Sequence, residues 1–214
     1  MAKIAERLSI IILVGLFLSG CAAVPVREAV KVDLNLPVGK IEGNRFEGIR
    51  FPFKVEAPSS WKMTTQIPDF MESLGYGRPG LEETELFIFN PLTLSNLQID
   101  ITPAGRYSKF DQKTIEWLTN AGLGSLKQEM EEEHGKGIEI KEGPLEALTL
   151  KGVQFAAKKY VTYTLKGVNR EQGWIYAFTE PYQIFILYMI IDKQGSDDRE
   201  MIKKILNSFE FISK

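Results

Sequence analysis

The sequence is poor in the residue types that most often form cross-links or metal sites. Its 214 residues include one cysteine and one histidine. Because a single cysteine cannot form an intramolecular disulfide, the fold must be stabilised by a hydrophobic core. One cysteine and one histidine also fall short of the four ligands of an ordinary structural zinc site. The sequence therefore predicts no metal site and no cofactor.

An excess of positive charge is absent as well. The chain has 26 Lys and Arg against 28 Asp and Glu, a formal net charge of −2. Affinity for nucleic acid depends largely on neutralising phosphates with basic side chains, so we expect no nucleic-acid partner. Hydrophobic residues make up 44% and charged residues 25%, which is typical of a folded globular domain rather than a disordered chain.

Catalytic signatures are missing too. No Gly-x-Ser-x-Gly nucleophile elbow occurs, and the segment from Gly122 to Ser125 lacks the lysine of a phosphate-binding loop. His134 follows three glutamates and precedes Gly135, which favours a helix C-terminal position over the role of a catalytic base. The glutamates at 129, 131–133 and 139 are interpreted as a solvated helix end. We predict no catalytic residue and no enzyme activity.

The N-terminus contains an apolar run of the length found in export signals. Lys3 and Arg7 precede the run 8–18, which is too short to span a bilayer comfortably. The next residues complete the motif Leu18-Ser19-Gly20-Cys21, which resembles the lipobox of bacterial lipoproteins. That resemblance implies cleavage after Gly20 and acylation of the Cys21 thiol. The alternative is an uncleaved signal anchor whose cysteine has no role.

Lipidation would determine where the protein resides. One acyl chain binds a membrane only marginally, whereas the two or three chains of a lipoprotein would anchor it almost permanently. We therefore predict a lipid-anchored protein of the cell envelope that faces the periplasm. Ala22 replaces the aspartate that retains many lipoproteins at the inner membrane, which favours the outer membrane. Residues 1–20 are predicted as signal peptide, 21–45 as lipidated cysteine and tether, and 46–214 as one globular domain.

Hydrophobic periodicity predicts the elements of that domain. Alternating apolar residues indicate strands at 51–57, 85–90, 96–102, 137–141, 145–150, 153–165, 172–179 and 182–191. Gln98 and Asp100 should face solvent, and the run 184–191, apolar on both faces, predicts a central strand. Lys159 shares a face with apolar residues, which indicates a bulge, a snorkelling lysine or two shorter strands.

Two helices are predicted around the strands. Ser108-x-x-Asp111 resembles a capping box, and apolar residues then recur at helical spacing as far as His134. Gly122 and Gly124 would kink or break this helix. A second helix is predicted to begin at 196 or 197. The expected fold is α+β, an α/β/α sandwich around a mainly antiparallel sheet.

The order of four short motifs resembles the PsbP-like family of extrinsic lumenal and periplasmic proteins. These motifs are Pro58-Ser-Ser-Trp61, the helix after Thr102-Pro103, Gly152-Val-Gln-Phe155-Ala, and Ile202-x-x-Ile205-x-x-Ser208-Phe209. The resemblance implies a non-catalytic accessory or assembly role, often on a larger complex. It supplies no metal-binding or partner-contact residue, because none of the family's can be matched to a position here.

These observations favour a lipid-anchored envelope binding or assembly protein with an envelope protein as its partner. Two alternatives stay open: a periplasmic hydrolase with two carboxylates in one cleft, and a carrier of a small apolar ligand between sheet and helix. The loop 75–80, with Tyr76 and Arg78, is the candidate partner surface. Tryptophans at 61, 117 and 174 are expected in the core.

Overall fold

The computed structural model describes residues 28, 30–74, 76–77, 81–106, 108–193 and 195–212. Within these ranges the chain forms two α-helices, α1 (Gln112–His134) and α2 (Asp198–Ser208). The strands are β1 (Gly39–Glu42), β2 (Arg45–Gly48), β3 (Phe53–Glu56), β4 (Lys62–Thr64), β5 (Leu86–Phe89), β6 (Asn96–Pro103), β7 (Lys141–Glu142), β8 (Glu146–Ala147), β9 (Phe155–Leu165), β10 (Val168–Thr179), β11 (Tyr182–Ile191) and β12 (Glu210–Phe211). The predicted lipobox, Leu18, Ser19, Gly20 and Cys21, lies outside the described residues.

The chain divides into two compact units. The larger comprises residues 30–104 and 110–214 and contains every element named above. The smaller comprises residues 1–29 and 105–109. In its described part the backbone N–H of Ser108 donates to the carbonyl of Gly105 at 3.1 Å, which closes a turn.

The strands form two antiparallel sheets. The larger has the order β4-β5-β6-β11-β10-β9-β7, with β8 also paired to β9, and the smaller has the order β1-β2-β3-β12. Strand β11 lies between β6 and β10 in the middle of the larger sheet. This position explains why its sequence is apolar on both faces, because each face is covered by another layer.

The helices pack on opposite faces of the larger sheet. On one face, Leu126 of α1 packs in a cluster with Val161 and Trp174. On the other, Ile202 and Ile205 of α2 join the main core together with the small sheet. Alternation along the strands separates the two sets of side chains. The predicted α+β fold with helices on both faces is confirmed, with a second small sheet in the α2 layer.

Both ends of α1 are fixed by local hydrogen bonds. The N-cap is Asp111, whose Oδ1 accepts from the backbone N–H of Thr114 at 2.9 Å. The helix therefore begins three residues later than a cap at Ser108 would place it. It ends where predicted, since Gly135 at φ 81° follows His134, and its N–H donates to Glu131.

The two glycines within α1 do not interrupt it. The helix is continuous from Gln112 to His134, and Gly122 lies against the indole of Trp174. A Cβ at Gly122 would be 2.9 Å from Trp174 Nε1, whose N–H donates to the carbonyl of Thr119 at 2.7 Å. Gly122 therefore permits a close approach of helix and sheet, and the predicted kink was wrong.

The structure decides among the three interpretations of Lys159. Strand β9 is a single strand of 11 residues that pairs with β10 in unbroken register. Lys159 is only 6% exposed, and its Nζ reaches Glu142 Oε2 at 3.5 Å. The snorkelling interpretation is therefore right: the stem packs in the layer while the ammonium reaches a carboxylate at the edge of the sheet.

Other predicted boundaries and faces differ from the structure. Strand β1, the first strand of the described residues, lies inside the segment predicted as tether. Of the predicted strand 137–141 only its last residue is in a strand, β7. Gln98 is 4% exposed rather than facing solvent, because Tyr76 and Thr84, from the segment before β5, cover this face of β6.

Candidate binding groove

A groove lies on the face of the larger sheet that carries α2. Since α2 packs on β3 and β11, the adjacent parts of β9 and β10 form an open floor beside it. Two adjoining cavities of about 500 and 390 Å³ occupy this floor. They share Glu171, Ile190 and Arg199, so they form one continuous concave surface between α2 and the β8 edge of the sheet. Concavities of this size are ordinary ligand or peptide sites.

Glu171 is the buried charge at the junction of the two cavities. Strand alternation directs Glu171 towards α2 and its neighbours Gln172 and Arg170 to the opposite face. Its Oε2 accepts from Arg199 Nε at 3.1 Å and Nη2 at 2.8 Å, and its Oε1 accepts from the Tyr188 hydroxyl at 3.1 Å. The side chain of Glu171 is 10% exposed, and a carboxylate so buried is stable because it is paired and hydrogen-bonded.

Two tyrosine rings form the aromatic part of the floor. Tyr188, Gly173 and Tyr160 lie side by side across β11, β10 and β9. A Cβ at Gly173 would overlap the Tyr188 ring, and a Cβ at Gly143 would overlap the Tyr160 ring. Each ring therefore packs closely against a glycine, where any side chain would displace it, and both tyrosines line the smaller cavity.

Their surroundings keep the Tyr188 hydroxyl and the Arg199 guanidinium protonated. Burial, and next the negative charge of Glu171, raise the pKa of Tyr188 well above its usual value. The hydrogen bond to Glu171 raises the pKa of the Arg199 guanidinium. Tyr188 is therefore a constant hydrogen-bond donor and Arg199 a constant cation across the physiological range.

The rim of the groove carries charges of both signs. Lys158 Nζ lies 3.0 Å from Glu146 Oε2 and 5.7 Å from the centre of the Tyr160 ring. Glu200 and Lys203 of α2 line the opposite wall. Alternating charges around an aromatic and apolar floor suit a segment that carries both acidic and basic side chains.

A second set of buried carboxyls lies away from the groove, on the other face of the larger sheet. Burial is the main cause that raises the pKa of Asp100 to about 6, with Glu83 and Glu85 adding repulsion. Burial also raises the pKa of Glu85, although Arg50 Nη1 lies 3.0 Å from its Oε1 and opposes the shift. In the described part of the chain, no three His, Cys, Asp or Glu side chains cluster as metal ligands would.

Of the residues singled out from the sequence, Glu139 lines the larger cavity of this groove, whereas Tyr76 and the three tryptophans do not line it. The Tyr76 hydroxyl donates inward to Asn96 Oδ1 at 3.3 Å, and burial raises its pKa, so Tyr76 is not the exposed partner contact that was expected. Arg78 lies outside the described residues. Trp61 and Trp174 are in the core as predicted, whereas Trp117 is 68% exposed on α1.

One signal in the sequence could have located the groove. Glu171 has the same strand parity as Gly173, Ile175 and Ala177, so an acidic residue interrupts an otherwise small or apolar face. The sequence prediction began this strand at Gln172 and so excluded it. Arg199 has no such signal, because its role depends on where α2 crosses the sheet.

The fold is similar to that of known structures. No protein-family model and no curated protein matches the chain. The solution structure of cyanobacterial PsbP (CyanoP) from Synechocystis sp. PCC 6803 is similar, with a TM-score of 0.52 at 8% identity over 86% of this chain and 98% of that one. LpqN of Mycobacterium tuberculosis, involved in cell envelope biogenesis, has a TM-score of 0.50 at 11% identity over 74% and 82%.

At these identities the likeness concerns the fold. None of the helices in the described ranges has the combined length and hydrophobicity that crossing a bilayer requires. The similarity to CyanoP extends over 98% of that chain and 86% of this one. The chain contains a domain with the PsbP-like α+β fold.

Proposed function

We propose that this chain is a lipid-anchored, non-catalytic accessory protein of the bacterial cell envelope that binds a protein partner in the groove beside α2. The observation that carries the binding role is Glu171, a buried carboxylate fixed by Arg199 and Tyr188 at the junction of two open cavities. Preorganised polar groups on a concave aromatic floor are what a binding site needs.

The envelope location rests on the motif that ends at Cys21. Its position after an apolar run of export-signal length supports acylation of the only thiol in the chain. LpqN is involved in cell envelope biogenesis, and its similar fold is compatible with an envelope role here. Ala22 favours the outer membrane as the site of anchoring.

Binding is favoured over carboxylate hydrolysis by the state of the acids in the groove. A glycosidase-type mechanism needs one carboxylic acid and one free carboxylate on either side of the scissile bond. Five carboxylates line the groove, and only Glu171 among them is buried. Glu171 is held by Arg199 and Tyr188, and the exposed Glu146 is paired with Lys158. Neither is placed to give or take a proton.

Binding of a protein is also favoured over carriage of a small apolar ligand. A carrier needs an enclosed apolar space between the layers. Between the larger sheet and the α2 layer, that space is filled by fully buried side chains: Phe46, Phe53, Leu86, Ile88, Leu97, Ile99, Ile175, Ile184 and Phe209. The groove lies outside this core and has a rim of mixed charge.

Site-specific photo-crosslinking in growing cells tests the proposal. A crosslinking amino acid at Lys203, which is exposed on the groove wall, should capture one reproducible envelope protein. The matched control is Lys113, an exposed lysine on α1 at the opposite face of the sheet, which should not capture it.

A filled groove supplies the second arm of the experiment. Thr162→Trp introduces an indole into the floor of the larger cavity and should reduce the Lys203 crosslink several-fold while leaving protein level unchanged. Equal capture from positions 203 and 113, or a crosslink that persists in the Thr162→Trp variant, would remove the groove from the proposed function.

A further inference from the structure

A short turn before β1, residues 33–36, exposes two leucines to solvent. The backbone N–H and the side-chain Nδ2 of Asn35 donate to Asp33 Oδ1 at 2.9 and 3.1 Å, and the N–H of Leu36 donates to the Asp33 carbonyl at 3.2 Å. Leu34 at the tip of this turn is 72% exposed and Leu36 is 42% exposed. The turn is thus built by specific hydrogen bonds although its apolar side chains are uncovered.

Arg50 fastens this turn to the domain. Its Nη2 donates to the carbonyls of Leu34 at 3.2 Å and Leu36 at 3.0 Å, while its Nη1 pairs with Glu85 at 3.0 Å. The Arg50 and Glu85 side chains are 18% and 7% exposed, so the ion pair that holds the turn is largely buried. The leucines therefore project from a fixed backbone.

The turn itself and the residues that flank it in sequence are mostly apolar. Ile49 is 42% exposed, and its N–H donates to the carbonyl of Val38 at 2.9 Å, which places it beside the strand that follows the turn. Within 32–38 the single charged residue is Asp33, whose Oδ1 is occupied by Asn35. Ordered, exposed apolar residues grouped in this way mark an interaction surface.

We infer that this turn, residues 33–36, contacts the lipid bilayer to which the chain is anchored, an inference that rests on the proposed acylation of Cys21. Twelve residues lie between Cys21 and Leu34, and because a fully extended chain spans at most about 3.6 Å per residue, the two are at most roughly 45 Å apart. The acyl chains would hold one end of that segment in the membrane, so the bilayer is always present at high effective concentration near the leucines.

A bilayer fits the turn better than a protein does. Two exposed leucines and an exposed isoleucine are sufficient for shallow insertion among lipid headgroups, where burial of each side chain is favourable. A protein partner would have to compete with a membrane that the anchor never lets the domain leave.

The lone native cysteine makes this contact measurable. In the acylated protein the Cys21 sulfur carries the lipid and cannot react with a fluorophore. Leu34→Cys therefore introduces the single reactive thiol of the full chain. The probe is an environment-sensitive fluorophore on that thiol, in lipoprotein reconstituted into vesicles of phosphatidylethanolamine and phosphatidylglycerol with and without nitroxide lipids. The control is Leu92→Cys, at a leucine that is 81% exposed in a different loop.

We expect a blue-shifted emission and at least twofold stronger nitroxide quenching at position 34 than at position 92. Intact mass of the same samples reports acylation of Cys21. Acylated protein in which both positions behave as in water would overturn the membrane contact and leave the anchor standing. Protein that carries no acyl chains would overturn both.

Discussion

At the scale of single residues, the groove depends on how Glu171 is compensated. The Glu171 side chain is 10% exposed whereas the Arg199 side chain is 62% exposed, so the anion is the buried member of the pair. Removing a cation from a buried carboxylate leaves the cost of burying the charge without its compensation. An exposed ion pair of the same residue types carries little of that cost.

Arg199→Ala should therefore lower the free energy of unfolding by about 1–3 kcal/mol. The matched control is Arg45→Ala, whose partner Glu56 lies 3.0 Å away with both side chains at least 50% exposed, and it should change stability by less than about 0.5 kcal/mol. Urea unfolding of the two variants measures this. Equal effects would show that Glu171 does not need its partner.

Asp100 should make stability depend on pH in an unusual direction. Its pKa in the folded state is about 6 against an ordinary 3.8, so the native state binds this proton more tightly than the unfolded state does. The contribution of Asp100 to stability is therefore largest below pH 4 and is lost as pH rises through 6.

Asp100→Asn removes the stability loss that accompanies ionisation of Asp100. It should therefore raise the free energy of unfolding at pH 7.5 by about 1–3 kcal/mol, with little change at pH 4. The difference between the wild-type and variant curves, measured by urea unfolding from pH 4 to 8, isolates this group. Parallel curves would mean that the carboxyl is ionised in the native state without penalty.

Residue-scale predictions from sequence succeeded where a local pattern decides the outcome. The stop at His134-Gly135 follows from a glycine that tolerates positive φ, and it was confirmed. Exposure was predicted less well, because it depends on segments far along the chain. Gln98 alternates as a solvent-facing residue would, yet Tyr76 covers it, and nothing local to β6 indicates that cover.

At the scale of elements, α1 contains two glycines with opposite roles. Gly122 faces Trp174, whereas a Cβ at Gly124 would meet no heavy atom within 4 Å. Sequence alone treats both as weak points of the helix, since glycine lowers helix stability by about 1 kcal/mol relative to alanine. The structure shows that the first is required by packing and the second is not.

Gly124→Ala should accordingly raise the free energy of unfolding by about 0.5–1 kcal/mol through helix propensity. Gly122→Ala should lower it by about 1 kcal/mol, because the gain in propensity is outweighed by displacement of the Trp174 indole. The two variants act as each other's control in thermal unfolding, with indole fluorescence as the second signal. A stabilising Gly122→Ala would show that the indole moves aside at no cost.

The limits of an element were predicted from sequence most accurately where its apolar pattern is strongest. Strand β11 was predicted at its observed limits, Tyr182–Ile191, because the run is long and apolar. Strand β10 begins at Val168 rather than at Gln172, because the polar residues 169–171 are held in the strand by pairing with β9, which β11 joins from Arg170 onward. Pairing between distant strands overrides local propensity there.

At the scale of the whole molecule, the fold class was accessible from sequence and the groove was not. Apolar strands flanked by two amphipathic helices predict a sheet covered on both faces, as observed. The small sheet was missed because β12 is two residues long and pairs with β3 across most of the chain. The groove arises from the angle and position of α2 on the sheet, which no periodicity encodes.

The central claim is that the domain works while attached to a membrane through Cys21. Metabolic labelling with radioactive palmitate in growing bacteria tests it most directly, with Cys21→Ser as the control that lacks the thiol. The account predicts label in the wild-type protein and none in Cys21→Ser. A wild-type protein that stays unlabelled, in cells where another lipoprotein incorporates palmitate, would contradict it.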